Sequence, residues 1–141
     1  MGRKRILFAD DHEEMRAIIR KCLQAEFDVV GAVEDGKRLL EAESSLKPDV
    51  CLLDLSMPGL NGIETTIQLK ARGSACKIVF LTIIEDLDYV EAALRIGASG
   101  YVIKCKLFSD LLIAIKEALA GRTYISPSIS AQRFRQLASS V

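Results

Sequence analysis

Short apolar runs and longer segments with helical spacing alternate along this chain. The apolar runs lie at residues 6–9, 29–33, 50–53, 78–81 and 101–103. Several of them are continuous rather than interrupted by polar residues, which is typical of parallel strands that are covered on both faces. The pattern therefore predicts a series of buried strands, each followed by a helical segment.

The segments between these runs carry apolar residues three and four positions apart, as the buried side of a helix does. The two clearest stripes are Met15, Ile18, Ile19, Cys22, Leu23 and Leu111, Leu112, Ile115, Ala118, Leu119. Asn61, three residues before Glu64, predicts a capped helix start, while Gly97 and Gly121 predict helix ends. Five successive β/α units predict an α/β fold, a doubly wound five-stranded parallel sheet with five helices and a short C-terminal tail.

The composition and charge of the chain argue against several functional classes. The 141 residues suffice for one domain, and 19 Lys and Arg residues balance 19 Asp and Glu residues, so the basic excess of a nucleic-acid-binding surface is missing. No apolar run suits a signal peptide or a membrane span, so we expect a cytoplasmic protein without membrane contact. Cys22, Cys51, Cys76 and Cys105 are scattered without a C-x-x-C pair, which favours reduced thiols over a zinc site.

Polar residues follow four of the five predicted strands. Asp10 and Asp11 follow the first strand, Asp54 the third, Thr82 the fourth and Lys104 the fifth. Because the carboxyl ends of parallel strands lie along one edge of the sheet, these side chains should share a pocket. Three carboxylates repel one another unless a cation is bound, and Mg²⁺ prefers carboxylate and phosphate oxygens. A carboxylate can also form an aspartyl phosphate, so the set predicts Mg²⁺-dependent phosphoryl chemistry.

Each of these residues also has a structural interpretation when it is considered alone. Asp10 and Asp11 could belong to a helix capping box. Thr82 suits a strand end, Lys104 could be a solvated lysine, and His12 fits the exposed first turn of a helix. The chemical interpretation depends on the conjunction of the polar residues at one sheet edge.

The ordered set of motifs resembles the receiver domains of two-component response regulators. The matching features are Asp10-Asp11, the segment DLSMPGLNG at 54–62, Thr82 after a hydrophobic strand, and GYVIK at 100–104. The resemblance covers about residues 4–121 and implies a flavodoxin-like strand order of 2-1-3-4-5. It also implies that a sensor histidine kinase donates a phosphoryl group to Asp54, and that the domain is a phosphoacceptor switch rather than an enzyme.

The resemblance further implies a metal site around the phosphoacceptor. Asp11 and Asp54 would bind Mg²⁺ directly, and the backbone carbonyl of Ser56 would be a further ligand. Asp10 would act largely through water.

Thr82 would bond the phosphoryl group and Lys104 would pair with it. We expect Thr82 to move toward that group and to vacate space into which Tyr101 rotates, which makes Tyr101 the candidate switch residue. The alternative to this switch role is that the ring of Tyr101 only packs in the core, with a wet hydroxyl that contacts water. Many receivers have a cis proline after the conserved lysine, but Cys105 stands there in this chain, so a trans bond is expected.

Residues 121–127 resemble the segment that follows the receiver in regulators with a LuxR-type helix-turn-helix output domain. We expect a receiver domain at 1–121 and a linker or tail helix at 122–141, with Pro127 opening a short helix. A full-length protein would then bind DNA through an output domain absent from this chain and regulate transcription, and a homodimer is possible. The alternative is a stand-alone receiver that acts as a protein-interaction module.

Two further functional classes share parts of the pattern. A phosphatase with an aspartyl-phosphate intermediate would have an Asp-x-Asp loop after the first strand, and Asp54-Leu55-Ser56 does not provide one. A flavodoxin-like electron carrier would need a phosphate-cradling loop and flanking aromatic residues at the strand ends, which this sequence does not have.

Overall fold

The computed structural model describes residues 2–139, in which six strands alternate with six helices. The strands are β1 (Arg5–Ala9), β2 (Asp28–Val33), β3 (Val50–Leu53), β4 (Lys77–Thr82), β5 (Gly100–Ile103) and β6 (Tyr124–Ile125). The helices are α1 (Glu13–Leu23), α2 (Gly36–Leu46), α3 (Gly62–Ala71), α4 (Leu87–Arg95), α5 (Leu107–Leu119) and α6 (Pro127–Ser139). All strand pairs are parallel, and the order is β2-β1-β3-β4-β5-β6. The predicted fold class and order are confirmed.

The sheet has six strands rather than the five predicted. Tyr124 and Ile125 pair with Gly100 and Tyr101 of β5, and the amide of Ser126 donates to the carbonyl of Tyr101 over 2.9 Å. Two residues are too few to show a strand periodicity, so the sequence pattern could not reveal β6. The helix predicted to open at Pro127 is confirmed as α6.

Side chains on the central strands alternate between two hydrophobic cores. Leu53, Phe80 and Tyr101 pack with residues of α2, α3 and α4 on one face. Leu52 and Val79 pack with residues of α1 and α5 on the other. Because both faces are covered, the central strands are apolar throughout, which explains the continuous runs in the sequence.

The predicted helix boundaries are also confirmed. Asn61 and Glu64 form a complete capping box at the start of α3, and Gly97 and Gly121 follow α4 and α5 with φ angles of 97° and 82°. Positive φ favours glycine, which has no Cβ to clash with the backbone. None of the peptide bonds in residues 2–139 is cis, so the bond before Cys105 is trans as expected. Across the same residues, no helix has both the length and the hydrophobicity needed to cross a bilayer.

Candidate functional site: an acidic pocket at the carboxyl edge of the sheet

Lys104 lies between two buried carboxylates at the carboxyl ends of the strands. Its Nζ atom is 2.6 Å from Oδ2 of Asp54 and 2.8 Å from Oδ2 of Asp10. The side chains of Lys104, Asp10 and Asp54 are 9%, 1% and 6% exposed. Burial lowers the pKa of Lys104, but hydrogen bonds and charge attraction from Asp10 and Asp54 outweigh it, so the pKa is raised overall. Lys104 is therefore an ammonium ion that offsets the charge of two carboxylates.

The register of the sheet brings these residues together. Ala9 of β1 pairs with Leu53 of β3, so the residues that follow them, Asp10 and Asp54, leave the sheet side by side. Thr82 ends β4 and pairs with Ile103, the residue before Lys104. The carboxyl edge of the parallel sheet thus gathers residues that are far apart in the sequence.

Asp11 and His12 extend the pocket toward solvent. Nδ1 of His12 lies 3.1 Å from Oδ1 of Asp11 and 3.5 Å from Oδ1 of Asp10. Ligand atoms of the three residues all lie within 4.8 Å of one another, so this acidic cluster could hold a metal ion. His12 is 72% exposed, as predicted for a surface residue, although it lies just before the first turn of α1 rather than in it. Its proximity to both carboxylates was not predicted, because the sequence gives no direction for its ring.

The alternative explanation of the acidic pair as a capping box is wrong. Helix α1 begins at Glu13, its N-cap residue is His12, and no side chain caps it. Oδ1 of Asp10 instead accepts a hydrogen bond from the amide of His12 over 2.9 Å, and Arg16 donates to the backbone carbonyl of Asp10 over 2.8 Å. These contacts fix Asp10 in the pocket rather than at the helix end.

The loop after Asp54 holds the other oxygen of its carboxylate. The amide of Ser56 donates to Oδ1 of Asp54 over 3.2 Å, so both carboxylate oxygens have partners. Gly62 packs against this loop so closely that a Cβ atom there would lie 2.3 Å from the carbonyl oxygen of Asp54. Gly59 adopts a positive φ, at 74°, in the same loop. The proposed ligation of a metal by the carbonyl of Ser56 stays a prediction.

Thr82 and Tyr101 both bind the backbone of Ile84, in the loop after β4. Oγ1 of the fully buried Thr82 accepts a hydrogen bond from the amide of Ile84 over 3.3 Å, and the hydroxyl of Tyr101 donates to the carbonyl of Ile84 over 2.7 Å. Burial, followed by the negative charge of Asp54, raises the pKa of Tyr101, so its phenol stays neutral. The tyrosine is turned inward and packs in the core, so only the wet hydroxyl of the alternative is wrong. The role of Tyr101 as a switch stays a prediction.

A second buried polar contact, which the sequence did not reveal, joins the C-terminal segment to β5. Oγ of Ser126 accepts a hydrogen bond from the amide of Ile103 over 3.1 Å and donates one to Oδ2 of Asp110 over 2.9 Å. Ser126 and Asp110 are both buried. The backbone just before Lys104 is therefore attached to residues beyond 121. Serine and aspartate are too common in the chain to indicate such a pair.

A family model described as the response regulator receiver domain matches residues 6–116. The chain belongs to this family. Response regulator GacA of Pseudomonas viridiflava is 37% identical over 131 residues, which cover 91% of this chain and 61% of GacA. The receiver chain thus spans about three fifths of the length of this curated relative.

Solved structures of LuxR-family regulators have the same fold. The crystal structure of a two-component response regulator of the LuxR family from Aurantimonas sp. SI85-9A1 matches with a TM-score of 0.87 and 30% identity, covering 97% of this chain and 99% of that one. The isolated REC domain of RcsB from Salmonella enterica serovar Typhimurium was solved with the phosphomimetic BeF3-. It matches with a TM-score of 0.85 and 29% identity, covering 92% of this chain and 98% of that one.

Proposed function

We propose that this receiver domain accepts a phosphoryl group on Asp54 from a sensor histidine kinase, in a Mg²⁺-dependent reaction. The observation that carries the proposal is the buried carboxylate of Asp54, held by Lys104 and adjoined by the acidic pair of Asp10 and Asp11. Receiver domains are generally not classed as enzymes, and we expect this one to take part only in its own phosphorylation and dephosphorylation.

The donor set suits Mg²⁺. Asp10, Asp11 and Asp54 offer hard carboxylate oxygens at one sheet edge, and the carbonyl of Ser56 would add a fourth oxygen. A bound Mg²⁺ supplies positive charge that neutralises the carboxylates and the oxygens of an incoming phosphoryl group. The softer nitrogen of His12, at the exposed rim, is not needed in this set.

The residues of the chain have distinct roles in the transfer. A carboxylate oxygen of Asp54 attacks phosphorus, a new O–P bond forms, and the N–P bond to the histidine of the kinase breaks. Lys104 then exchanges its contact with the carboxylate for a contact with a phosphoryl oxygen. The hydroxyl of Thr82 donates a hydrogen bond to another of these oxygens.

We infer that phosphorylation is transmitted through the loop after β4. When the hydroxyl of Thr82 turns to the phosphoryl group, the amide of Ile84 loses its hydrogen-bond partner. The hydrogen bond from Tyr101 to the carbonyl of Ile84 then remains to hold the loop after β4 in place. Reversing a 1:99 equilibrium requires about 5.5 kcal/mol. Hydrogen bonds to charged groups contribute roughly 1.5–3 kcal/mol each, so Thr82 and Lys104 together approach that value.

We further propose that residues 1–121 act as the receiver and that 122–141 lead to a LuxR-type output domain in a longer, cytoplasmic protein that regulates transcription. The support is the 61% coverage of GacA and a solved structure of two RcsB dimers bound to two parallel DNAs. By analogy with RcsB, the full-length protein would bind DNA as a homodimer.

The decisive experiment is phosphoryl labelling from a small phosphodonor in the presence of Mg²⁺. Asp54→Asn should abolish labelling, because the amide is not a nucleophile, while the circular dichroism spectrum stays that of the folded protein. The matched control is Asp28→Asn, an exposed residue at the start of β2. Undiminished labelling of Asp54→Asn, or loss of labelling in the control alone, would contradict the assignment.

A further inference from the structure

Two cysteines lie in contact near the amino edge of the sheet, opposite to the edge that carries Asp54. Cys51 is the second residue of β3, and Cys76 directly precedes β4. Their sulfur atoms are 3.4 Å apart, and both cysteines are free thiols. A disulfide bond is about 2.0 Å long, so a small approach of the two side chains would bring them to bonding distance.

Only one of the two thiols has access to a surface cavity. A cavity of about 630 Å³ is lined by Cys76, whose residue is 6% exposed, while Cys51 is fully buried and is not part of the lining. A small molecule that enters this cavity therefore meets Cys76 first. Cys51 lies behind it, within reach of the sulfur of Cys76 but screened from solvent.

Polar side chains in the cavity wall surround the thiol of Cys76. Oγ of Ser74 lies 3.2 Å from Sγ of Cys76 and 2.6 Å from Oε2 of Glu43. Arg72 binds the other carboxylate oxygen of Glu43 over 2.6 Å, which fixes the carboxylate in place. The hydroxyl of Ser74 can donate to Sγ of Cys76 and so stabilise the thiolate, whereas the negative charge of Glu43 raises the pKa of Cys76.

The electrostatics of the pair assign different roles to the two sulfurs. The hydrogen bond between the thiols lowers the pKa of Cys76 more than burial raises it, and Ser74 lowers it further. The same hydrogen bond, with burial, raises the pKa of Cys51. Since the thiolate is the reactive form, Cys76 is the nucleophile of the pair. Burial raises the pKa of Cys22, which makes that thiol a poorer nucleophile.

We propose that Cys76 and Cys51 form a redox site that reacts with small peroxides and closes to a reversible disulfide. The thiolate of Cys76 attacks a peroxide oxygen, the O–O bond breaks, and Cys76 becomes a sulfenic acid while the released hydroxide takes up a proton to leave as water. The sulfur of Cys51 then attacks the sulfur of Cys76, a second water leaves with the thiol proton of Cys51, and the S–S bond forms. Two thiols and one hydrogen peroxide thus give one disulfide and two waters.

The test uses the reduced chain and hydrogen peroxide. After treatment, the remaining thiols are alkylated under denaturing conditions and the protein is analysed by mass spectrometry and non-reducing peptide mapping. We expect two of the four thiols to be protected, a mass lower by two hydrogen atoms before alkylation, and a peptide that joins Cys51 to Cys76. A dithiol reductant should restore all four thiols.

Variants separate the two roles. Cys51→Ala should stop the reaction at a sulfenic acid on Cys76, which a dimedone probe traps, whereas Cys76→Ala should leave Cys51 unlabelled. A Cys22→Ser, Cys105→Ser double variant should still form the disulfide. The proposal is overturned by four alkylatable thiols in the treated wild-type chain, by first oxidation at Cys51, by a cross-link through Cys22 or Cys105, or by sulfinic acid on Cys76 while Cys51 stays reduced. None of these measurements depends on phosphorylation of Asp54.

Discussion

The hydroxyl of Tyr101 donates a hydrogen bond to the carbonyl oxygen of Ile84, 2.7 Å away. The amide of the same residue donates to Oγ1 of Thr82. The loop after β4 is therefore attached at one residue both to Thr82 in the acidic pocket and to the tyrosine on β5. In the proposed phosphorylated state, a hydroxyl that leaves Ile84 for the phosphoryl group would change the hydrogen bonding of this loop.

Thr82→Ala should separate phosphorylation from its structural consequence. We expect the variant to be labelled on Asp54 from a small phosphodonor, because the nucleophile and Lys104 remain. Hydrogen exchange at residues 83–86 should no longer respond to phosphorylation. Loss of the hydroxyl leaves the amide of Ile84 without this partner and should lower the free energy of unfolding by about 1–3 kcal/mol.

Thr82→Ser is the matched control, since it keeps the hydroxyl and removes only a methyl group. It should retain both labelling and the exchange response. A response in Thr82→Ala equal to that of the wild type would show that the loop is controlled by another residue.

Tyr101→Phe should reduce the loss of unfolding free energy that occurs as the pH becomes alkaline. The folded state holds the phenolic proton more tightly than the unfolded chain, whose tyrosine has a pKa of about 10. The stabilisation is fully present below that value and is lost as the pH rises toward the folded pKa. Unfolding in urea at about pH 8 and about pH 11 measures the loss, which should be smaller in Tyr101→Phe than in the wild type.

Tyr89→Phe, at a half-exposed position on α4, is the control and should follow the wild type. The raised pKa of Lys104 produces an alkaline loss of its own in all three proteins, so only the difference between them is informative. Equal losses in Tyr101→Phe and the wild type would contradict the assigned role of the buried phenol.

Lys104→Met should leave Asp10 and Asp54 facing each other without a cation between them. Removing one member of a buried ion pair costs about 3–5 kcal/mol, measured as the free energy of unfolding in urea. The two carboxylates should then repel, so that in the variant a carboxyl pKa lies above its unfolded value. The destabilisation should therefore be larger at about pH 8 than at about pH 5, and added Mg²⁺ should reduce it.

Lys106→Met, exposed in the same turn, should change the stability by no more than about 0.5 kcal/mol. If Lys104→Met were as stable as this control across the same pH range, Lys104 would not be the cation on which the two carboxylates depend.

Ser126→Ala should loosen the C-terminal segment from β5. The substitution removes the partner of the amide of Ile103 and one of the partners of the buried Asp110, which should cost about 1–3 kcal/mol in the free energy of unfolding. Cleavage within residues 122–139 by a dilute protease should become faster, because local opening of this segment becomes easier. Ser128→Ala, at an exposed position of α6, is the control. Equal cleavage rates in the two variants would contradict a role for Ser126 as an anchor.

The parts of the pocket that were predictable follow from topology. Each central strand is apolar and ends at a polar residue, and a parallel sheet puts all such ends on one edge. Lys104 could therefore be placed beside Asp54 although 50 residues separate them. The helix caps were predictable for a different reason, since Asn61 and Glu64 interact within one turn.

The contacts that were not predictable join side chains whose partners lie at no fixed distance along the sequence. Arg133 of α6 binds Glu91 of α4 over 2.5 Å, and Ser126 binds Asp110, yet none of these residues stands out in composition or pattern. The inward orientation of Tyr101 is a third case. Its ring lies in the core, and its hydroxyl is held by the carbonyl of Ile84, a partner that the sequence pattern does not reveal.

The sixth strand has a practical consequence for anyone who splices this domain to another protein. The family match ends at residue 116, but hydrogen bonding of β5 continues through Ile125, and the fully buried Ile129 belongs to the core beneath α4. A chimaera with its junction at 117 would lack β6, so β5, the strand that precedes Lys104, would become the edge of the sheet. Its unpaired backbone groups could then pair with another copy of the chain. A junction beyond Arg133 would keep β6, Ile129 and the ion pair between Arg133 and Glu91.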